Sequence, residues 1–504
     1  MKDFLILLSD QHDGRIQSHS GDPLVRTPNL DALAADGVSF SNAYTPCPLC
    51  IPARMSLLST QLPCHTGVFT NSGSLHPEMP TFLHSLAVAG YETVLCGRMH
   101  FEGADQRHGF TKRIADDITP TAFGSLGRAK AAHGIGSVLM TGVGCLYAVG
   151  GGNSVTLDYD RYVVEQALTY LSQPHEKPQC IVVGTYGPHH PYIAPEELYH
   201  YYLDKVSLPE NLDAPAFTPA MEKPTDRNPE LVRAVRAAYY GMVEFEDECI
   251  GKVRTAWDSW LKENDRTGVF AYISDHGDHI GERGFYGKQT LYEPSLRVPM
   301  LFAGDGIPAG TALQTPVSLL DIGPTLLELA GAEPMPSTDG RSLAAALADG
   351  TEPEAVPVIA EWINGPYTLG TEYGRMVRLG SLKYAGFVNY PEEDLLTEPA
   401  NDRWELNNLA AHRPEDTARL RSLAFDGLDI PGIVEAKNRL FKAKQLLARF
   451  NKLTGGDVWE VWGGSEGSRT LPRHYIKSSQ PVSPRFRDIV EAAEQAAAAA
   501  RAEE

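Results

Sequence analysis

Positive charge is scarce in this chain: 44 lysines and arginines stand against 64 aspartates and glutamates over 504 residues, a formal net charge of −20. That balance argues against DNA or another polyanion as the general partner, because the surface field repels it. A small anion still answers to local arginines, lysines or a metal. Cysteine is sparse as well, with seven positions at 47, 50, 64, 96, 145, 180 and 249. An odd, scattered set does not make a disulfide framework and fits a reduced, cytoplasmic environment. Long apolar runs are missing. The opening Phe4-Leu5-Ile6-Leu7-Leu8 is far too short to span a membrane and lacks a small-residue cleavage site, so it reads as a strand and not as a signal peptide. No internal repeat is evident. The C-x-x-C of Cys47-Pro48-Leu49-Cys50 has no second Cys or Cys/His pair at zinc-ligand spacing.

What is present is enough apolar residue to fill substantial cores, 42% of the chain, and a length that suggests two to four units. Phe4 to Leu8 runs into Ser9-Asp10-Gln11-His12-Asp13, and Gly268 to Ile273 runs into Ser274-Asp275-His276-Gly277-Asp278. Both are continuous apolar strands, as expected where a parallel sheet is covered on two faces, and each delivers an Asp and a second ligand-type residue at its carboxyl end. Tyr91 to Cys96 leads likewise into Gly97-Arg98-Met99-His100, and Cys180 to Thr185 into Gly187-Pro188-His189-His190-Pro191. Helical patterns lie between them, for example Thr27 to Ala34 and Leu231 to Trp260. The alternation predicts an α/β fold, a large mostly parallel sheet flanked by helices, with ligands outside the carboxyl ends of its strands. Residues 124–157, rich in Gly, Ala and Ser, read as a loop insertion, and residues 209–226 as an irregular connection.

Cys50-Ile51-Pro52-Ala53-Arg54, followed by Met55-Ser56-Leu57-Leu58, marks where a turn-rich segment gives way to a short apolar helix. Pro52 fits the first helical turn, where no amide donor is needed. Cys50 then sits at a helix N-terminus, where free N–H groups and the helix dipole favour an anion, with the Arg54 charge one turn on. A side chain so placed could meet a sulfate or phosphate ester. The bland alternatives are a thioredoxin-like redox pair with Cys47 and an inert buried thiol.

Cys-x-Pro-x-Arg is the signature of the type I sulfatases, of the alkaline-phosphatase-like superfamily, and the chain resembles that family along most of its length. The choline-sulfatase-like and phosphonate monoester hydrolase branches look most similar. The resemblance implies that Cys50 is oxidised to formylglycine by a formylglycine-generating maturation enzyme. It implies one divalent metal, Ca²⁺ first and Mn²⁺ or Mg²⁺ as alternatives, held by Asp10, Gln11, Asp275 and His276 with an oxygen of residue 50; these are hard, mostly oxygen donors. Taken alone, an Asp after a strand is often only a helix cap.

An aldehyde hydrate offers two hydroxyls, one to attack the ester and one whose deprotonation later expels sulfate. By motif position His100 takes that second proton and His189 protonates the leaving alcohol, with His190 a rival. Arg54, Arg98 and Lys288 neutralise the transferred group; Lys288 closes the family-like stretch Gly281-Glu282-Arg283-Gly284-Phe285-Tyr286-Gly287-Lys288. Two positions depart from the pattern. Arg98 stands where the family has Lys, and Thr60 in Leu58-Ser59-Thr60-Gln61 stands where relatives have Gly.

The expected organisation is a catalytic domain over 1–345, a small C-terminal sheet and helix subdomain over 355–430, and a tail over 431–504 that is either an oligomer arm, in a homo-oligomer, or a frayed terminus. The expected reaction is hydrolysis of a small sulfate monoester, with no nucleic-acid or membrane partner. A phosphonate monoester or phosphodiester hydrolase on the same site is the alternative, and a non-catalytic binder of sulfated ligands a second.

Overall fold

The computed structural model describes residues 1–103, 105–119, 145–146, 148–219, 226–365, 369–453 and 477–478. Its centre is an eight-stranded sheet. In chain order the strands are β1 (Asp3–Asp10), β2 (Gly37–Phe40), β3 (Glu92–Gly97), β4 (Lys112–Ala115), β5 (Gln179–Pro188), β6 (Gly268–Ser274), β7 (Met300–Gly304) and β8 (Thr311–Leu313). They lie in the order β8-β2-β7-β6-β1-β5-β3-β4. Only β7 pairs antiparallel to its neighbours, so the sheet is mostly parallel, as the strand and helix alternation predicts.

The unbroken apolar run of β1 follows from burial on both faces. Phe4, Ile6 and Leu8 enter one core and Leu5 and Leu7 the other. The first core is closed by α2 (Cys50–Ser59), α3 (Phe82–Val88) and α6 (Ile322–Ala330), the second by α1 (Pro28–Ala35), α4 (Val155–Leu171) and the long α5 (Pro229–Glu263). Each large apolar side chain buried this way contributes roughly 1.5–3 kcal/mol. Pro229 begins α5 where its missing N–H costs nothing, and the Asn228 side chain caps it by accepting from Glu230 N–H. At about 1.5 Å per residue α5 is long enough to close the second core with Cys249, Val253 and Trp257 and still carry Val235, Tyr239 and Met242 into a third.

The C-terminal part is a four-stranded antiparallel sheet of β9 (Val358–Ile363), β10 (Tyr373–Leu379), β11 (Leu382–Phe387) and β12 (Leu395–Thr397). One face packs on α7 (Pro414–Phe425), the other on Tyr44, Leu49 and Leu296 of the main body. Lys383 of β11 is buried between Glu293 at 3.1 Å and Glu405 at 2.7 Å. Helix α8 (Ile430–Leu453) follows; the Trp/Gly segment around Trp459 and the Ala-rich end lie outside the described residues.

The expectation of a loop over 124–157 needs correction where it can be tested. Residues 120–144 lie outside the described residues, but Val149–Asn153 is a strand, parallel to Tyr192–Ala194, and α4 starts at Val155. The glycines suggested a loop; at Gly151 the cause is crowding. A Cβ on Gly151 would stand 3.1 Å from the backbone of Glu196 and the ring of Tyr199. No helix among the described residues is long and apolar enough to cross a membrane.

Candidate active site

Every motif residue singled out in the sequence arrives at the carboxyl edge of the sheet. The β1/β6 register pairs Ser9 with Ser274, so Asp10 and Asp275 emerge side by side. β3 pairs Gly97 with Gly184 of β5, and a Cβ on Gly184 would stand 1.8 Å from the Arg98 carbonyl oxygen. Only glycine lets the chain turn there to deliver Arg98 and His100. Cys50 is the first residue of α2, pointed at the same edge.

Asp10, Cys50, Asp275 and His276 converge, with one ligand atom from each lying within 4.8 Å of all the others, and all four are buried. His276 Nε2 is 3.1 Å from Cys50 Sγ, 3.8 Å from Asp10 Oδ1 and 3.7 Å from Asp275 Oδ1. Its Nδ1–H donates to the Gly277 carbonyl at 3.0 Å, which leaves Nε2 for the centre of the group. Two carboxylates and one imidazole so oriented fit a hard or borderline divalent cation.

Arg54, fully buried, spans both carboxylates from behind: Nε to Asp275 Oδ2 at 2.8 Å and Nη2 to Asp10 Oδ2 at 3.1 Å. Arg98 Nε adds a third contact, to Asp10 Oδ2 at 2.7 Å. Burial opposes ionisation of Asp10, but Arg98, Arg54 and Lys288 hold its carboxyl well below the usual range. Burial and Asp10 likewise oppose ionisation of Cys50, and Lys288 and His276 bring the thiol below its ordinary value. His276 is raised against burial by Asp275 and Cys50.

A second cluster faces this one. Lys288 Nζ donates to Gln11 Oε1 and lies 2.6 Å from His189 Nε2. His189 Nδ1–H donates to the His190 carbonyl at 2.6 Å, so its bare Nε2 accepts from the Lys288 ammonium. Burial, His190 and Lys288 push His189 well below its ordinary value, into the neutral form. His190 Nδ1 lies 3.4 Å from Gln11 Nε2. Gln11 stands beside the four-residue group with its oxygen taken by Lys288 and its amide nitrogen donating to Asp278 Oδ2 at 2.6 Å. Its main-chain N–H donates to Asp275 Oδ1 at 3.1 Å and ties the two clusters together. Its φ of 72° puts a non-glycine residue in the left-handed region.

His100, at φ 59°, is held the same way. Arg98 Nη2 donates to its Nδ1 at 2.8 Å, which leaves the proton of the neutral ring on Nε2. Burial and Arg98 keep this imidazole well below its ordinary value. The structure thus brings all the motif residues into one network: Asp10, Cys50, Arg54, Arg98, His100, Asp275 and His276 on one side, Gln11, His189 and Lys288 on the other.

Sequence reasoning missed four supports. Asp117 accepts the N–H of Met99 at 3.0 Å and of His100 at 2.6 Å and pairs with Arg98. Asp278 is pushed up to about 8 by burial and also accepts from the Tyr192 hydroxyl at 3.0 Å. Tyr239 on α5 donates to the Gln11 carbonyl at 2.7 Å and accepts from Asp13 N–H at 2.9 Å. Tyr186 lies under the Arg98 guanidinium at 4.7 Å. Asp278 lies in the same run as His276 and was legible as a neighbour; the others carry no local signal. Cys47 and Cys50 are both thiols and are not joined to each other.

The comparisons with known proteins agree. A family model described as Sulfatase matches residues 2–332, and one described as N-sulphoglucosamine sulphohydrolase, C-terminal, matches residues 281–422. A choline-sulfatase of Rhizobium meliloti (strain 1021) is 34% identical over 454 residues, covering 82% of this chain and 84% of the relative. Arylsulfatase K of Homo sapiens is 26% identical over 487 residues, covering 88% and 86%. The phosphonate monoester hydrolase of Agrobacterium radiobacter superposes with a TM-score of 0.65 at 22% identity, covering 84% of this chain and 94% of that one. A protein solved with its substrate D-glucosamine-2-N,6-O-disulfate superposes with 0.67 at 19% identity, covering 88% and 98%. These two solved structures speak for the fold alone.

Proposed function

The chain belongs to the sulfatase family and hydrolyses sulfuric esters, and we propose that it does so with residue 50 as nucleophile, oxidised from cysteine to formylglycine by a maturation enzyme. The observation that carries this reading is the position of Cys50: a buried thiol at a helix N-terminus, 3.1 Å from His276 Nε2 and backed by two carboxylates and two arginines. A divalent metal, Ca²⁺ first, would be held by Asp10, Asp275 and His276, with Gln11 joining once its oxygen is released from Lys288. When bound it would supply Lewis-acid activation of the nucleophile and of an ester oxygen.

The rest is work for the chain's own residues. Arg54 holds Asp10 and Asp275 in place, and Arg98 and Lys288 meet the charge of the transferred group. Lys288 faces the bare Nε2 of His189, and a proton taken from the ammonium at that nitrogen can be given from the same nitrogen to the leaving alcohol once Lys288 has moved aside. His100 can take a proton only at Nδ1, which Arg98 occupies. A bound anion that draws the guanidinium away frees that nitrogen. The sparse, odd set of seven cysteines, with Cys47 and Cys50 unjoined, supports a reducing compartment. Choline sulfate is the first ester to assay, given the relative of that name, with aryl sulfates and a matched phosphodiester beside it. The test is Cys50→Ala: turnover should vanish while fold and metal content remain, because only one ligand group is lost. Near wild-type sulfate release by that variant, with contamination excluded, refutes the mechanism.

A further inference from the structure

β5 ends in Thr185-Tyr186-Gly187-Pro188 and hands on to His189, and three consecutive residues of that end are tied to two buried carboxyls that the chemistry above does not use. Asp160 of α4 accepts the N–H of Tyr186 on Oδ1 at 2.6 Å and the N–H of Gly187 on Oδ2 at 2.8 Å. Glu246 of α5 accepts the Thr185 hydroxyl on Oε1 at 2.6 Å, and its Oε2 is buried with no hydrogen-bond partner among the described residues. Both carboxyls look onto Gly187: a Cβ there would stand 3.1 Å from Asp160 Oδ2 and 3.2 Å from Glu246 Oε2. Asp160 is 1% exposed and Glu246 0%.

Two carboxyls confined to one dry space do not both ionise. Asp160 has each oxygen on an N–H dipole and is the better anion. Glu246 has one oxygen facing no donor and is the better acid. We propose that the pair carries at most one negative charge, on Asp160, with Glu246 held as a neutral carboxylic acid, and that this proton keeps the end of β5 in place and so makes Glu246 a positioning residue for His189. The surroundings agree. Burial and Asp160 hold the Glu246 carboxyl well above its usual range; Asp247 adds to this, and the Thr185 bond acts against it. Tyr272 of β6 and Cys249 of α5 face Glu246 too. Asp160 faces Arg98 and Asp10 at the sheet edge and Tyr159 on its own helix, and is raised by burial to about 7 against the pull of its two N–H bonds and Arg98. With Glu246 ionised, a second negative charge would press on Asp160 and on the strand end it holds.

The role given to His189 rests on the function proposed above, whereas the protonation of Glu246 is tested without any turnover. A carboxyl raised in the folded state binds a proton there that the unfolded chain has lost above about pH 4.3. Stability therefore falls as pH rises, by up to about tenfold in the unfolding constant per pH unit, until Glu246 ionises in the fold. The experiment compares the full metal-loaded chain with Glu246→Gln by denaturant unfolding from about pH 5 to 8, with the infrared carboxylic-acid band of ¹³C-labelled glutamate read alongside. The expected result is a stability gap that widens in favour of Glu246→Gln as pH rises, and a carboxylic-acid band that the variant lacks. Parallel stability profiles, or no such band in the wild type, overturn the neutral acid. For the positioning role, Glu246→Gln should carry kcat to higher pH than the wild type does, and Glu246→Ala should lose kcat with KM little changed. Wild-type pH–rate profiles in both variants overturn that role while leaving the sulfatase reading intact. If Glu246→Ala fails to fold, the profile of Glu246→Gln decides alone.

Discussion

Asp117→Asn isolates the support under His100. The carboxylate uses Oδ2 for the N–H groups of Met99 and His100, and Oδ1 for the Thr119 N–H at 2.9 Å, its hydroxyl at 2.6 Å and Arg98 Nη1 at 3.4 Å. In the amide one oxygen keeps the first pair, and the nitrogen meets the remaining donors, none of which it can accept. Arg98 Nη1 keeps the Thr119 hydroxyl oxygen at 3.1 Å and that hydroxyl can turn its proton away, so one buried donor, the Thr119 N–H, is left without an acceptor and the expected loss is about 1–3 kcal/mol. Arg98 and His100 lose their common anchor, and kcat/KM should fall about 10- to 100-fold, the range seen for groups that orient a site from behind.

The loss has a pH signature. Burial resists ionisation of Asp117, but Arg98 pulls its carboxyl below the usual range. A depressed carboxyl contributes its stability above the unfolded value of about 3.9 and loses it as pH falls through the folded value. The gap between wild type and Asp117→Asn should be constant from neutral pH to about 4 and shrink below that. Urea unfolding across pH, paired with kcat/KM, reads both. A change under about 0.5 kcal/mol with unaltered kcat/KM refutes the reasoning.

Asp275→Ala removes a ligand and one of the two carboxylates on Arg54, so metal content and activity should disappear together; full activity in metal-stripped protein would make the four-residue cluster merely structural. His189→Ala should slow esters of poorly acidic alcohols by about a hundred to ten-thousandfold, and those of an activated phenol far less. Equal losses for both substrates, with steps before sulfate release limiting, would move the acid role to His190.

Much of this site was legible before any coordinates. A strand buried on both faces has to be apolar throughout, so Phe4 to Leu8 and Gly268 to Ile273 announced themselves, and the polar residues just beyond them fell at the sheet edge. The direction of a side chain is another matter. Spacing brings Gln11 to the edge beside Asp10, but its turn toward Lys288 and Asp278 follows from a left-handed backbone that no periodicity reveals. Arg98 read as a substitute for Lys; its planar fork also reaches His100 Nδ1 and Asp10 at once, which a point charge cannot do. Thr60 read as a departure from Gly. It does take the left-handed position at the end of α2, with φ 61°, and its methyl fits because Gly323 opposite has no Cβ, which would stand 2.4 Å from Thr60 Cγ2. Compensation of that kind lies 263 residues away in the chain and is invisible locally.

The account turns on what residue 50 is in the working enzyme, and the mass of the peptide spanning Cys50, taken from protein of known specific activity, tests this most directly. The mass should correspond to a side chain in which CH₂SH has become CHO, and sulfate release should rise in proportion to the fraction converted. A fully active preparation whose peptide carries an unmodified thiol would contradict it.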